Sequence, residues 1–315
     1  MPAWDLPADL LAARLVVEAA ESDRRLDELA SQRLGLSRRE LERRSAAGRV
    51  RVDGRAILRG APRVREGAVV ELLTEAAEPG LLPERIPLGL LLERDDLFFV
   101  DKPAGLPVTP GPGHAAGTLA NALRGLGRPL STLEGPGRPG LVHRLDAGTS
   151  GVMVVAADAE AHRRLAQLFA AHQVERRYLA VVVGEPVWQD HIVAAPLGPK
   201  RAPRRGRTVR LDGQAACTEL SVLARGGGHA LVEARPQTGR THQVRVHLAS
   251  LGHPLLGDTL YGGGDRAARA AARVGLRRPA LHAASLAFPT LAIGACAALP
   301  GDLDQALRRL GLAAG

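Results

Sequence analysis

Leu141-Val142-His143-Arg144-Leu145-Asp146-Ala147-Gly148-Thr149-Ser150-Gly151-Val152-Met153-Val154-Val155 sets a polar island between two apolar runs. The flanks, Leu141-Val142 and Val152 to Val155, read as buried strand, and Gly148 to Gly151 supplies turn residues of little bulk. Asp146 therefore sits on a loop held by a rigid sheet. Functional carboxylates occupy such positions, and so do ordinary turn-forming aspartates. Outward from this stretch, residues 87–315 mix short apolar strands with helical segments such as 159–172, without an internal repeat. The expectation is an α+β fold, with one large mixed-sheet domain, its helices flanking the sheet, preceded by a smaller module.

The chain has 315 residues and is 45% apolar, enough for a large domain plus a small one. It contains no run of 18 apolar residues, and its N-terminus, with Asp5 and Asp9, does not resemble a secretory signal; a cytoplasmic protein away from membranes is expected. Cys217 and Cys296 lack the paired spacing of a zinc site and are expected to be buried, reduced thiols. The formal net charge is +9, and Lys102 and Lys200 are the only lysines, so arginine carries 40 of the 42 basic residues. Guanidinium groups suit phosphate and base stacking, which makes nucleic acid the natural partner, although a general preference for arginine gives the same balance. Aromatics are 3%, too few for a stacking platform built from rows of Phe and Tyr.

Residues 1–21 are expected to form an extension and 22–73 a compact module. Leu26, Leu29, Ala30 and Leu34 recur at helical spacing, Gly35 stops that helix, and Ser37-Arg38-Arg39-Glu40 reads as a capping box. The second helix turns Leu41 inward and Arg38, Arg39, Arg43 and Arg44 outward. Val50-Arg51-Val52, the Asp53-Gly54 turn and Ala56-Ile57-Leu58 read as a hairpin, and Val69 to Leu72 as a closing strand. This module resembles the S4 RNA-binding fold, which implies that Arg38, Arg39, Arg43, Arg44 and Arg51 lie along an RNA backbone. Residues 74–86 read as a polar linker.

Four segments of the large domain resemble the RluA-type pseudouridine synthases. They are Phe99-Val100-Asp101-Lys102-Pro103-Ala104-Gly105, His143-Arg144-Leu145-Asp146, Arg177-Tyr178-Leu179-Ala180-Val181-Val182-Val183-Gly184, and Thr238-Gly239-Arg240-Thr241-His242-Gln243-Val244-Arg245-Val246-His247 followed by His253-Pro254-Leu255-Leu256-Gly257-Asp258. The resemblance implies a mainly antiparallel catalytic sheet spanning 87–315, isomerisation of uridine within structured RNA, and no cofactor. It further implies a monomer acting on large-subunit ribosomal RNA; transfer RNA, or an inactive ribosome assembly factor, are the alternatives.

The reaction breaks the N1–C1′ bond, turns the base and joins C5 to C1′. A carboxylate can hold the sugar covalently meanwhile, as in a retaining glycosidase, and Asp146 fits that role. In a cleft it needs a guanidinium to stay charged. The resemblance implies that Arg240 is this partner, that Tyr178 is the general base or a positioning ring, and that Arg144 fills the gap left by the flipped uridine. His143, Lys102, Gln243 and Arg245 are expected to bind substrate. His242, His247 and His253 are close in sequence, but their spacing is not that of a helical zinc site, so no metal is expected. Lys200 to Arg207 reads either as an RNA-clamping insertion or as a plain surface loop; the run Arg266, Arg269, Arg273, Arg277 and Arg278 has no assigned role.

Overall fold

The structure, a computed structural model, describes residues 11–74, 81–111, 114–200 and 206–312. Residues 1–10 of the expected extension, 75–80 of the expected linker and 201–205 of the basic loop lie outside the described residues. The chain forms two compact units, Met1–Pro87 with Pro107–Gly140, and Leu88–Leu106 with Leu141–Gly315.

The first unit contains β1 (Leu11–Val16), β2 (Arg24–Arg25), α1 (Leu26–Leu34), α2 (Arg38–Ala46), β3 (Val50–Val52), β4 (Arg55–Ala56), β5 (Arg63–Val64), β6 (Val69–Leu73) and α3 (Leu119–Gly125). Gly35 ends α1 in the left-handed conformation, φ 66°, where a side chain would be strained. Ser37 Oγ accepts the Glu40 N–H at 3.2 Å, but the Glu40 carboxylate pairs with Arg44 at 3.0 Å. Leu26, Leu29, Ala30 and Leu41 pack with Val50, Val70 and Leu72 of a sheet ordered β1-β6-β3-β4. Each such buried aliphatic side chain contributes about 1.5–3 kcal/mol.

Three expectations are corrected here. The extension is not separate, because β1 pairs along β6 and buries Leu15 and Val17 in the same core. Arg51 is not an RNA contact, because its side chain is fully buried and one guanidinium nitrogen donates to the Pro83 carbonyl. Burial also pushes its pKa down, against the pull of Glu84 and Glu71. The domain boundary near 87 is interrupted, because residues 107–140 join the first unit. Glu84 links them to it, accepting from the Gly117 and Ala56 N–H groups at 2.8 and 3.1 Å.

The second unit is built on nine strands: β7 (Gly89–Glu93), β8 (Leu97–Lys102), β9 (Ser150–Ala156), β10 (Glu175–Val183), β11 (Asp190–Ala194), β14 (Cys217–Gly226), β15 (His229–Pro236), β16 (Leu281–Phe288) and β17 (Ile293–Cys296). Between β11 and β14, the short strands β12 (Leu197–Pro199) and β13 (Arg207–Val209) form a separate hairpin. The order is β11-β14-β15-β10-β16-β9-β8-β7, with β17 beside β16, and only the β16–β9 pairing is parallel among these. The expected mixed, mainly antiparallel sheet is present. Four helices accompany it: α4 (Ala159–Ala170), α5 (Gln243–Ser250), α6 (Asp265–Arg273) and α7 (Gly301–Arg309). Apolar clusters cover both faces of the sheet: alternate β9 residues Val152, Val154 and Ala156 pack with α4, and Leu303 and Leu307 of α7 pack with Val181 and Leu256.

Both cysteines are free; Cys217 is half-buried and Cys296 exposed, so the expected burial is corrected. Cys296 lies on the strand that follows the 3-10 turn at Pro289–Leu291, with its side chain on the solvent side. Among the described residues, no helix is long and apolar enough to cross a membrane.

Candidate active site

The loop that carries Asp146 is pinned at several points. His143 Nε2 accepts the Val154 N–H at 3.1 Å, and its ring stacks on Phe169 with centroids 4.8 Å apart. Asp146 O accepts the Thr149 N–H at 3.0 Å, closing a tight turn. Ala147 O receives the Gly105 N–H at 2.8 Å and Lys102 Nζ at 3.2 Å. A loop with so many backbone anchors holds its side chains in fixed directions, which is what a reacting group requires.

Asp146 projects into a cavity of about 430 Å³ lined by His143, Arg144, Phe169, Arg176, Tyr178, Arg240, His242, Gln243 and Arg245, among others, all in the second unit. Among the described lining residues it is the only carboxylate. Arg245 Nη1 donates to Asp146 Oδ2 at 2.9 Å, while Arg245 Nε and Nη2 grip Asp258 at 2.7 and 3.0 Å. Asp258 is fully buried and also accepts the Leu260 and Tyr261 N–H groups. Burial opposes the Arg245 charge, but Asp258 and Asp146 together outweigh it and raise its pKa. A planar fork bonded to one carboxylate along one edge can present its remaining nitrogen in only one direction, so Asp258 aims Arg245 at Asp146.

This corrects the expected pairing. Arg240 lines the cavity, but its Nε donates to the Ala215 carbonyl at 3.0 Å, and no hydrogen bond or ion pair joins it to Asp146 among the described residues. Three residues expected to touch substrate have their polar groups engaged within the protein. Lys102 is fully buried with Nζ donating to the Pro103, Leu106 and Ala147 carbonyls, and burial pushes its pKa down to about 7. Gln243 accepts from Thr238 Oγ1 and the Arg240 N–H and donates to Cys217 O and Thr218 Oγ1, fastening the 238–243 turn to β14. His143 holds β9; burial, with the Arg176 charge nearby, pushes its pKa down to about 3.

Tyr178, on β10, lines the same cavity, and burial pushes its hydroxyl pKa up, with Asp146 adding to the rise and Arg176 opposing it. Of the two expected roles, general base or positioning ring, a neutral phenol suits the second more readily, and a relay would be needed for the first. Arg144 is exposed at the cavity and makes no hydrogen bond or ion pair among the described residues. The three histidines do not converge: His247 bonds Thr218 Oγ1 and Ala195 O, His253 bonds Val183 O, and His242 alone reaches the cavity. Tyr261 is not singled out by the sequence, and His242 stands out there only as one of three neighbouring histidines without zinc-site spacing.

Residues 96–250 match the RNA pseudouridylate synthase family. A ribosomal large subunit pseudouridine synthase D of Xanthomonas campestris is 39% identical over 320 aligned positions, covering 96% of this chain and 94% of that protein. The solved human RNA pseudouridylate synthase domain containing 4 shares 30% identity at a TM-score of 0.55, covering 71% of this chain and 93% of that one. Its counterpart, domain containing 1, shares 26% at 0.57, covering 70% and 87%. With its mainly antiparallel sheet and its loop-borne aspartate in a cationic cleft, this chain belongs to the RluA-type RNA pseudouridine synthases, enzymes of the isomerase class.

Proposed function

We propose that this enzyme isomerises specific uridines of large-subunit ribosomal RNA, with Asp146 as the nucleophile. The observation that carries the reading is that, among the described residues, Asp146 is the sole carboxylate lining the cavity and is charge-paired there by Arg245. Asp146 attacks C1′ as the N1–C1′ bond breaks, and the bonding electrons leave on uracil. The freed base turns and its C5 attacks C1′, displacing Asp146. Loss of the C5 proton then restores the uracil ring, and N1 regains a proton. No net electrons or atoms are gained, consistent with a reaction that needs no cofactor.

Arg144, exposed and unpaired beside the cavity, is suited to fill the space left by the flipped nucleotide, since a guanidinium can stack on bases and contact phosphate. The ribosomal substrate is supported by the likeness to the Xanthomonas campestris protein named for it. The S4-like reading of the first unit supports the same partner, with Arg38, Arg39 and Arg43 exposed on α2.

Tritium release from C5-labelled ribosomal and transfer RNA transcripts tests the proposal. Wild type should release label from ribosomal RNA and Asp146→Asn should not, while RNA affinity stays within a few fold. Release by Asp146→Asn would remove the nucleophile, and release from transfer RNA alone would remove the ribosomal substrate.

A further inference from the structure

His242 is held in an unfavourable backbone conformation, φ 59° and ψ 20°, at the start of α5. A non-glycine residue there persists only when its surroundings impose it, which directs attention to its side chain. Nδ1 lies 2.7 Å from the Tyr261 hydroxyl oxygen, and Nε2 lies 3.7 Å from Asp146 Oδ1.

The hydrogen bonds of Tyr261 favour one tautomer of His242. Its hydroxyl oxygen already accepts the Arg207 N–H at 2.9 Å, and its one proton has His242 Nδ1 as acceptor. With Nδ1 accepting that proton, Nε2 carries the N–H and is the ring nitrogen on the Asp146 side. Burial lowers the His242 pKa, against the pull of Asp146, and raises that of Tyr261. The ring of Tyr261 is itself fixed, with the Arg245 guanidinium 5.0 Å and Lys200 Nζ 5.1 Å from its centroid.

These contacts close a circuit. Arg245 bonds Asp146 Oδ2 and packs on Tyr261, Tyr261 bonds His242, and His242 faces Asp146 Oδ1. The two carboxylate oxygens are thereby made unequal: Oδ2 accepts a charged hydrogen bond at 2.9 Å, while Oδ1 meets only an N–H dipole beyond hydrogen-bonding distance.

We infer that His242, oriented by Tyr261, is a positioning residue that fixes the Asp146 carboxylate so that Oδ1 is the oxygen that attacks C1′. The inference rests on Asp146 being the nucleophile. Oδ1 forms the ester bond, Oδ2 keeps its bond to Arg245 throughout, and no proton passes through the imidazole. The loop end of the β12–β13 hairpin joins the same circuit through the Arg207 N–H.

Three variants and their combination, assayed in single turnover on ribosomal RNA transcripts, test this. Asparagine tolerates left-handed backbone and can still meet the Tyr261 hydroxyl, but its amide is too short to reach Asp146. His242→Asn should therefore lower kcat about 10- to 100-fold, with KM within about 3-fold and the thermal midpoint no lower. His242→Gln, whose amide nitrogen reaches the Nε2 position, should recover part of that loss. Tyr261→Phe should lower kcat as well, and combining it with His242→Asn should cost little more than the latter alone, because the two act in series. Wild-type kcat in His242→Asn, or losses that simply add in the double variant, would overturn the inference. If these variants are normal while Asp146→Asn is inactive, the nucleophile stands and only the positioning role fails; an active Asp146→Asn removes both.

Discussion

At the scale of single residues, Asp146 was legible in the sequence as a candidate through the resemblance, since by position alone a turn-forming aspartate looks the same. Its partner was not, since the 238–247 segment holds both Arg240 and Arg245, and spacing alone cannot say which faces inward. The helix start decides it: Arg240 lies in the turn before α5 and bonds a carbonyl, whereas Arg245 is on the buried face of α5 beside Asp258. Replacing Arg245 by Lys keeps a charge but loses the fork that serves two carboxylates at once. The expected result is a fall in kcat of about 100-fold and a stability loss of about 3 kcal/mol from the stranded Asp258, read by tritium release and urea denaturation. His143 gives a prediction in pH. Its native pKa, near 3, lies below the ordinary value of 6.5, so the unfolded chain binds the extra proton between those limits. Stability from this group is complete above about pH 6.5 and is lost as pH falls toward 3. His143→Gln keeps an acceptor for the Val154 N–H without titrating, so its thermal midpoint should fall less than that of wild type between pH 7 and pH 4. Parallel curves would show that His143 is not a source of the acid sensitivity.

At the scale of elements, α1, α2 and the β3–β4 hairpin could be read directly, because caps, a stop glycine and a two-residue turn are local signals. The Asp53-Gly54 turn has the two positive φ values, 52° and 75°, that such a hairpin needs. β1 was not legible: its place depends on pairing with β6, more than fifty residues away in the chain, and nothing local announces that. The pairing of β9 with β16 is another non-local contact with a sharp requirement. At Gly151, φ is +116°, and a Cβ would stand 2.1 Å from the Ala283 carbonyl oxygen. Two backbones meet there with no room for a methyl group, right at the end of the Asp146 loop. Gly151→Ala should therefore cost about 2–4 kcal/mol in denaturant unfolding and should reduce turnover by moving the loop. A loss below about 0.5 kcal/mol would mean that β9 and β16 can separate freely at this point.

At the scale of the whole molecule, the boundary near residue 87 was misread because composition marks a linker but cannot reveal that residues 107–140 return to the first unit. Glu84 holds them there through the Gly117 N–H, and Asn121 Nδ2 donates to the Leu82 carbonyl at 2.8 Å. Deleting the first unit as far as Pro87 would strip 107–140 of these partners, so such a truncation confounds RNA binding with misfolding. Point changes on α2 avoid the difficulty. Arg39 and Arg43 are exposed, and the positive charge of the chain as a whole favours a polyanion. If the S4-like reading is right, each contributes a phosphate contact and releases counterions on binding. Arg39→Gln combined with Arg43→Gln should then flatten the dependence of log affinity on log salt by about 1.4–1.8, at about 0.7–0.9 per contact, while single-turnover kcat at saturating RNA stays at the wild-type level. That separation follows because uniform phosphate contacts act on the bound complex and the transition state alike. An unchanged salt slope would remove α2 from the RNA surface, and a lower kcat at saturation would show that the first unit acts on the chemical step and not on binding alone.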